Sequence, residues 1–251
     1  MDRLKKAILV VGIATPLVGA LISFDIKTAL AANTPSSTLL SVDGENLAPE
    51  EKLAKAKEDL AKALDLSLKK VESLKSRLNE LNFPENSREQ ALKRQALNDL
   101  DAYADYYNKA RENLDKAEGL DEVKDLAKQI KEYRDATYIP GVEKIVRFIS
   151  VFYNEEVLGV ANDRFNKIEA DVKKLDKLGV IKESDFRKRL DEANTLLKES
   201  VDLQGEAKKL VLSASSTAAT KEMIEKSLNN VKAVYGVFLE LNQVVKKALG
   251  I

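Results

Sequence analysis

The 251-residue chain predicts an all-α fold, an elongated antiparallel bundle of about six helices with coiled-coil-like packing. Three observations carry that reading. Apolar residues recur at steps of three and four over most of the chain, the repeat of one helical face. Ala, Glu, Lys and Leu dominate, as they do in long helices. Pro and Gly are few and stand mostly between the periodic stretches. Strand-type alternation never lasts more than a few residues.

The first residues follow a different logic. Arg3, Lys5 and Lys6 precede an uncharged, mostly apolar run from Ala7 to Ile22, and Ala29-Leu30-Ala31-Ala32 follows. Basic, apolar and small-x-small segments in that order are the layout of a secretory signal. Ala29 and Ala31 are the small residues of the site, and cleavage after Ala31 would leave Ala32 as the new first residue. The organisation expected is therefore a signal peptide over 1–31, a flexible linker over 32–48 and a helical bundle over 49–251. An uncleaved membrane anchor is the competing reading, because Ala7 to Phe24 approaches the length that spans a bilayer. Pro16, Gly12 and Gly19 weaken it as a helix.

Helix one runs from Pro49 to Leu81. Pro49, Glu50 and Glu51 suit a first turn, and Asn82-Phe83-Pro84 ends it. Leu53, Leu60, Leu64, Val71, Leu74, Leu78 and Leu81 form its seam, interrupted by Ser67. Helix two runs from Ser87 to Ala117. Ser87 and Gln90 resemble a capping box, and Leu92, Ala96, Leu100, Tyr103, Tyr107, Ala110, Leu114 and Ala117 face inward. Helix three spans Asp121 to Thr137, with Asp121 as cap and Val123, Leu126, Ile130 and Tyr133 as its buried side.

Pro140 opens the central helix, which runs to Leu178 and stops at Gly179. Its face comprises Val142, Ile145, Ile149, Phe152, Val157, Val160, Phe165, Ile168, Val172 and Leu175. Val146, Phe148, Val151 and Tyr153 make its start apolar on other faces too, so neighbours should surround it. Helix five follows from a Ser184 N-cap to Ser213, with Phe186, Leu190, Ala193, Leu197, Val201, Ala207 and Val211 inward. Helix six starts at Thr220 and carries two seams. One is Ile224, Leu228, Val231, Tyr235, Phe238, Asn242, Val245 and Leu249; the other is Val234, Val237, Leu241 and Val244.

The chain contains no Cys and no His. Thiolate catalysis, Cys or His metal ligation and Ser-His-Asp chemistry are thereby excluded. Lys+Arg equals Asp+Glu at 41 each, which gives no electrostatic case for nucleic acid or an anionic membrane. Ser67-Leu68-Lys69-Lys70 matches S-x-x-K, but the S-D-N and K-T-G partners of that motif are absent. In Asn154-Glu155-Glu156 the adjacent carboxylates point about 100° apart on a helix, so they cannot both serve one buried site. At least one should reach solvent, and the other should pair with a Lys or Arg. Asn242, at a seam position, either fixes register or meets solvent or a neighbour. Tyr103, Tyr106, Tyr107, Tyr133, Tyr138 and Tyr153 cluster in the middle third and suit core packing or a contact surface.

Two segments, Tyr133-Arg134-Asp135-Ala136-Thr137-Tyr138-Ile139-Pro140 and Leu178-Gly179-Val180-Ile181-Lys182-Glu183-Ser184-Asp185-Phe186, resemble pieces of exported, all-helical bacterial proteins that remain uncharacterised. The resemblance spans roughly the C-terminal half, carries no catalytic motif and implies a bacterial envelope or secreted setting. The function expected is that of a non-enzymatic structural or protein-interaction module of the cell envelope, with protein partners, no nucleic acid and no cofactor or metal. The alternative is a binding protein that holds an apolar or aromatic ligand between helices. The partner or ligand surface would then be drawn from Tyr103, Tyr106, Tyr107, Phe148, Phe152 and Tyr153. Membrane insertion by the mature chain is disfavoured, because Glu143, Lys144 and Arg147 break its one suitable stretch.

Overall fold

The computed structural model describes residues 48–213, 215 and 218–249. The segment expected to be a signal peptide, with Ala29, Ala31 and Ala32, and all of the expected linker but Ala48 lie outside them. The described residues are helical throughout, joined by short turns, with no strand among them. The helices are α1 (Pro49–Glu80), α2 (Arg88–Lys116), α3 (Leu120–Tyr133), α4 (Ile139–Lys177), α5 (Ser184–Leu212) and α6 (Ala218–Leu249).

They make five rods, not six, because α3 runs into α4 through a π-helical turn, Arg134–Tyr138. Proline at the first helical position is the commoner use, hence the expected break at Pro140. Inside a helix, proline leaves the carbonyl four residues back without its donor and crowds it. Here the turn widens just before Pro140, and the Ile139 N–H donates to the Arg134 carbonyl, five residues back. Ala136 and Pro140 are both exposed, so the disturbed turn faces water. The sequence carries a trace of this turn. From Tyr133 to Tyr138 the aromatic step is five, and an α-helix keeps one face only with steps of three or four.

The described residues fall into two compact units, 48–149 and 150–249. Residues of α4 belong to both. In the first unit α1 and α2 form an antiparallel hairpin. As α1 rises through Lys57, Asp65 and Lys75, its partners on α2 fall through Asp115, Arg111 and Asp101. Ser87 caps α2 as expected, accepting the Gln90 N–H at 3.1 Å. The end of α1 is closed by a side chain that hydrophobicity alone does not find. Lys93, not Leu92, holds the inward position of α2, and its ammonium donates to the Leu81 carbonyl at 2.7 Å and the Asn79 carbonyl at 3.4 Å. Cations at a helix C-terminus satisfy orphan carbonyls and oppose the helix dipole. Asp121 does not cap α3. The N-cap is Gly119, and Glu122 accepts the Glu118 N–H at 2.8 Å.

In the second unit α5 and α6 are likewise antiparallel, since Arg189 meets Glu240 while Glu199 meets Lys226 and Asn230. Gly179 ends α4 at φ +69, with its own N–H on the Asp176 carbonyl and the Val180 N–H on the Leu175 carbonyl. The N-cap of α5 is Glu183, not Ser184. The core of this unit joins Leu158, Ala161, Phe165, Val172 and Leu175 to the apolar faces of α5 and α6. Each buried side chain of Leu or Phe size contributes about 1.5–3 kcal/mol.

Phase, not residue type, decides which side chains face inward. Val201, expected inside, is 47% exposed, and Ser200 and Gln204 occupy the buried positions of α5. Leu228 of α6 is only half-buried while Ser227 is fully buried. In α4, Val160 gives way to Ala161, and Asn154 lies in phase with Leu158.

Gly141 stands where α4 meets α2. A Cβ there would overlap the Tyr103 hydroxyl oxygen and lie 2.8 Å from its Cζ. Gly141→Ala should therefore lower stability in urea unfolding by about 1–3 kcal/mol, the usual range for overpacking. Adding Tyr103→Phe should return part of that loss.

Candidate functional site

Two clusters hold most of the polar and aromatic side chains that the sequence singles out. In the first unit, five tyrosines of α2, α3 and the π turn pack ring against ring. Tyr106 and Tyr133 stack at 3.5 Å between centroids with 13° between planes. Tyr107 meets Tyr138 edge-on at 5.3 Å, and Tyr103 meets Tyr138 at 5.4 Å. The edge contacts of Tyr138 with Tyr107 and Tyr103 match ring edge to ring face and add about 0.5–1.5 kcal/mol to burial. The π turn brings Tyr138 into this group.

The hydroxyls are treated unequally. Tyr106 donates to the Gln129 carbonyl at 3.2 Å. The Tyr107 and Tyr138 oxygens are buried without a hydrogen-bond partner. Burial raises the Tyr107 pKa strongly, and the neighbouring Tyr138 adds to it. The Ser67 hydroxyl lies close enough to offset part of that rise, but its own proton goes to the Ala63 carbonyl at 2.9 Å. Burial also pushes Tyr133 and Tyr138 up to about 12. Lys70, the other end of the S-x-x-K match, is half-buried, and burial followed by the charge of Arg134 lowers its pKa. With its proton committed to its own helix, Ser67 is not arranged as a nucleophile.

In the second unit the central feature is a buried polar layer. Asn154 is 1% exposed and Ser200 and Ser227 are fully enclosed. The Asn154 amide nitrogen donates to Gln204 Oε1 at 2.6 Å and to Ser227 Oγ at 3.0 Å. The Gln204 amide donates to the Val151 carbonyl. Ser227 Oγ donates to the Ser200 carbonyl at 3.1 Å, and Ser200 Oγ donates to the Leu196 carbonyl at 2.8 Å with the Ser227 carbonyl also in reach at 3.3 Å. The Asn154 carboxamide oxygen alone is left without a partner.

Glu155 and Glu156 are both exposed, and Glu155 pairs with Lys208 at 2.8 Å. Of the residues named as a possible contact surface, Tyr103, Tyr107, Phe148 and Phe152 are buried, and Tyr106 and Tyr153 are half-buried. Phe148 packs edge-on against Phe83 at 5.9 Å, and the Lys208 ammonium lies 5.1 Å over the Phe152 ring. Asn242 is half-buried, and its carboxamide oxygen, enclosed, accepts no hydrogen bond. Among the described residues no group of three or more Asp or Glu is arranged to hold a metal ion. No helix among them is long and apolar enough to cross a membrane.

Reading by hydrophobicity missed Lys93, Asn154, Ser200, Gln204 and Ser227. The signal that finds them is the unbroken alternation of three and four along each seam, followed through the polar positions. No protein-family model, no curated protein and no solved structure matches the chain.

Because the Tyr138 hydroxyl is buried unpaired, Tyr138→Phe should leave thermal stability unchanged or raise it by about 1 kcal/mol, against the loss usual for a core change. The alkaline limb follows from the raised tyrosine pKa values. The folded state holds these protons more tightly than the unfolded chain, whose tyrosines titrate near 10. The tyrosines' contribution to stability is therefore intact below pH 10 and is lost as pH rises toward 12. Tyrosinate absorbance followed with helical ellipticity should show late ionisation that accompanies unfolding.

Proposed function

We propose that the chain is an exported, non-enzymatic helical module of the bacterial cell envelope that acts as a structural element or through contacts with protein partners. The observation that supports this most is the use made of its most conspicuous side chains. Tyr103, Tyr107, Tyr138, Asn154, Gln204, Ser200 and Ser227 are buried in packing between rods. Side chains that tie helices together in this way build a rigid support, and they are not displayed for chemistry on a substrate. Tyr106 and Tyr153 keep exposed portions and are the aromatic candidates for partner contact. Export rests on the basic, apolar and small-x-small pattern ending at Ala31. Neutral overall charge favours protein surfaces over polyanions as partners.

Fractionation with N-terminal sequencing tests the first half of this reading: the expected product begins at Ala32 and lies outside the cytoplasm. Cross-linking in intact cells tests the second, with a discrete protein adduct as the expected result. A full-length chain beginning at Met1 in the cytosol, without adducts, would overturn both. A small apolar or aromatic molecule retained stoichiometrically in native mass spectrometry would replace this reading with that of a ligand carrier.

A further inference from the structure

The seams of the second unit repeat so regularly that apolar burial alone sets their alignment poorly. Sliding the α5–α6 hairpin along α4 by seven residues, about 10 Å along the axis, again sets apolar residues against apolar ones over most of the seam, and Phe165, Phe186 and Phe238 are the large side chains that change partners. A heptad slip of α5 brings Leu197 or Val211 to the place of Gln204, and a slip of α6 brings Thr220 or Val234 to the place of Ser227. The exposed ion pair at the rim, Lys208–Glu155, is too well solvated to forbid such a move.

We infer that the buried layer of Asn154, Gln204, Ser200 and Ser227 is a register lock. It holds the α5–α6 hairpin on α4 in one alignment and keeps that hairpin from slipping. The bonds join all three rods at one level. Asn154 of α4 donates to both α5 and α6, Gln204 of α5 donates back to the α4 backbone at Val151, and Ser227 of α6 donates to the α5 backbone at Ser200. When the hairpin slips so that Leu197 and Val234 arrive, Asn154 remains enclosed and loses Gln204 Oε1 and Ser227 Oγ together, and the opposite slip offers only the Thr220 hydroxyl in their place. A buried amide without acceptors is costly, and that cost adds to the repacking of Phe186 and Phe238 that a slip requires. A single polar residue in an apolar seam fixes register and partner number in the same way. The layer is a device for uniqueness and not a source of net stability, because buried polar groups replaced together by apolar ones of like volume often leave a fold as stable or more so.

Zero-length carbodiimide coupling reads the alignment directly, since Lys208 Nζ lies 2.8 Å from Glu155 and Lys226 Nζ lies 2.6 Å from Glu199. In the full chain carrying Asn154→Leu, Gln204→Met, Ser200→Ala and Ser227→Ala, helical content should persist and the melting midpoint should not fall. The Lys208–Glu155 cross-link, between α5 and α4, should lose most of its yield to pairs about one heptad away, while the Lys226–Glu199 cross-link inside the hairpin persists as an internal control. If the Lys208–Glu155 cross-link persists undiminished, the layer does not set register. Gln204→Met alone is the second variant if the fourfold change does not fold, and it should show the same redistribution in part. If Gln204→Met also fails to fold, or folds with the Lys208–Glu155 cross-link unmoved, the layer is an ordinary stability element and the lock is disproved.

Discussion

An α-helix can turn only one stripe of side chains toward a given neighbour, and that stripe advances by three or four residues at a time. In this chain the constraint outranks hydrophobicity. Where keeping the stripe in phase requires a polar residue, the rod keeps its phase and buries the polar residue. Lys93, Asn154, Ser200, Gln204 and Ser227 are all inside for this reason, while the apolar Val201 is left in water. Rotating α5 to bury Val201 would carry Leu197 and Ala207 off the seam, and the summed loss over a 29-residue rod exceeds the gain from one valine.

Each polar group taken inside must then find partners, because it leaves its water behind. Most of them do so across a helix pair. Lys93 closes the end of α1, and the amides and hydroxyls of the second unit bond rod to rod. The hydroxyls of Tyr107 and Tyr138 are the exception, and both belong to the aromatic group assembled around the π turn. There the ring packing is strong enough to carry two unpaired oxygens. The π turn itself follows from the same rule. It inserts one residue so that the inward faces on either side of Pro140 stay aligned, and Gly141 makes room for Tyr103 beside it.

Where these side chains go also bears on function. A chain without Cys or His has a narrow choice of reactive groups. The S-x-x-K serine donates to its own helix, Glu155 sits in a solvated ion pair, and most of the tyrosines are occupied with each other. Such an arrangement suits a structural support, and in our proposal the export pattern puts that support outside the cytoplasm.

Helix class and most helix ends were legible in the residues alone. Pro49, Ser87 and Gly179 mark their boundaries through local backbone chemistry that needs no neighbour: ring geometry, a side-chain cap and a positive φ. The continuity across Pro140, the choice of Glu183 over Ser184 as N-cap and the burial of Asn154, Ser200, Gln204 and Ser227 were not. A proline signals a helix start or a tolerated π turn depending on whether the faces before and after it must meet the same partners. Likewise, Ser200 and Val201 differ by about 100° on one helix, and only the position of α6, with the Ser227 carbonyl in reach of Ser200, decides which of them is inside. Sequence by itself determined that rods would form and roughly where they end, because those choices are local. The tertiary structure decided which stripe of each rod is buried, because that depends on partners far away along the chain.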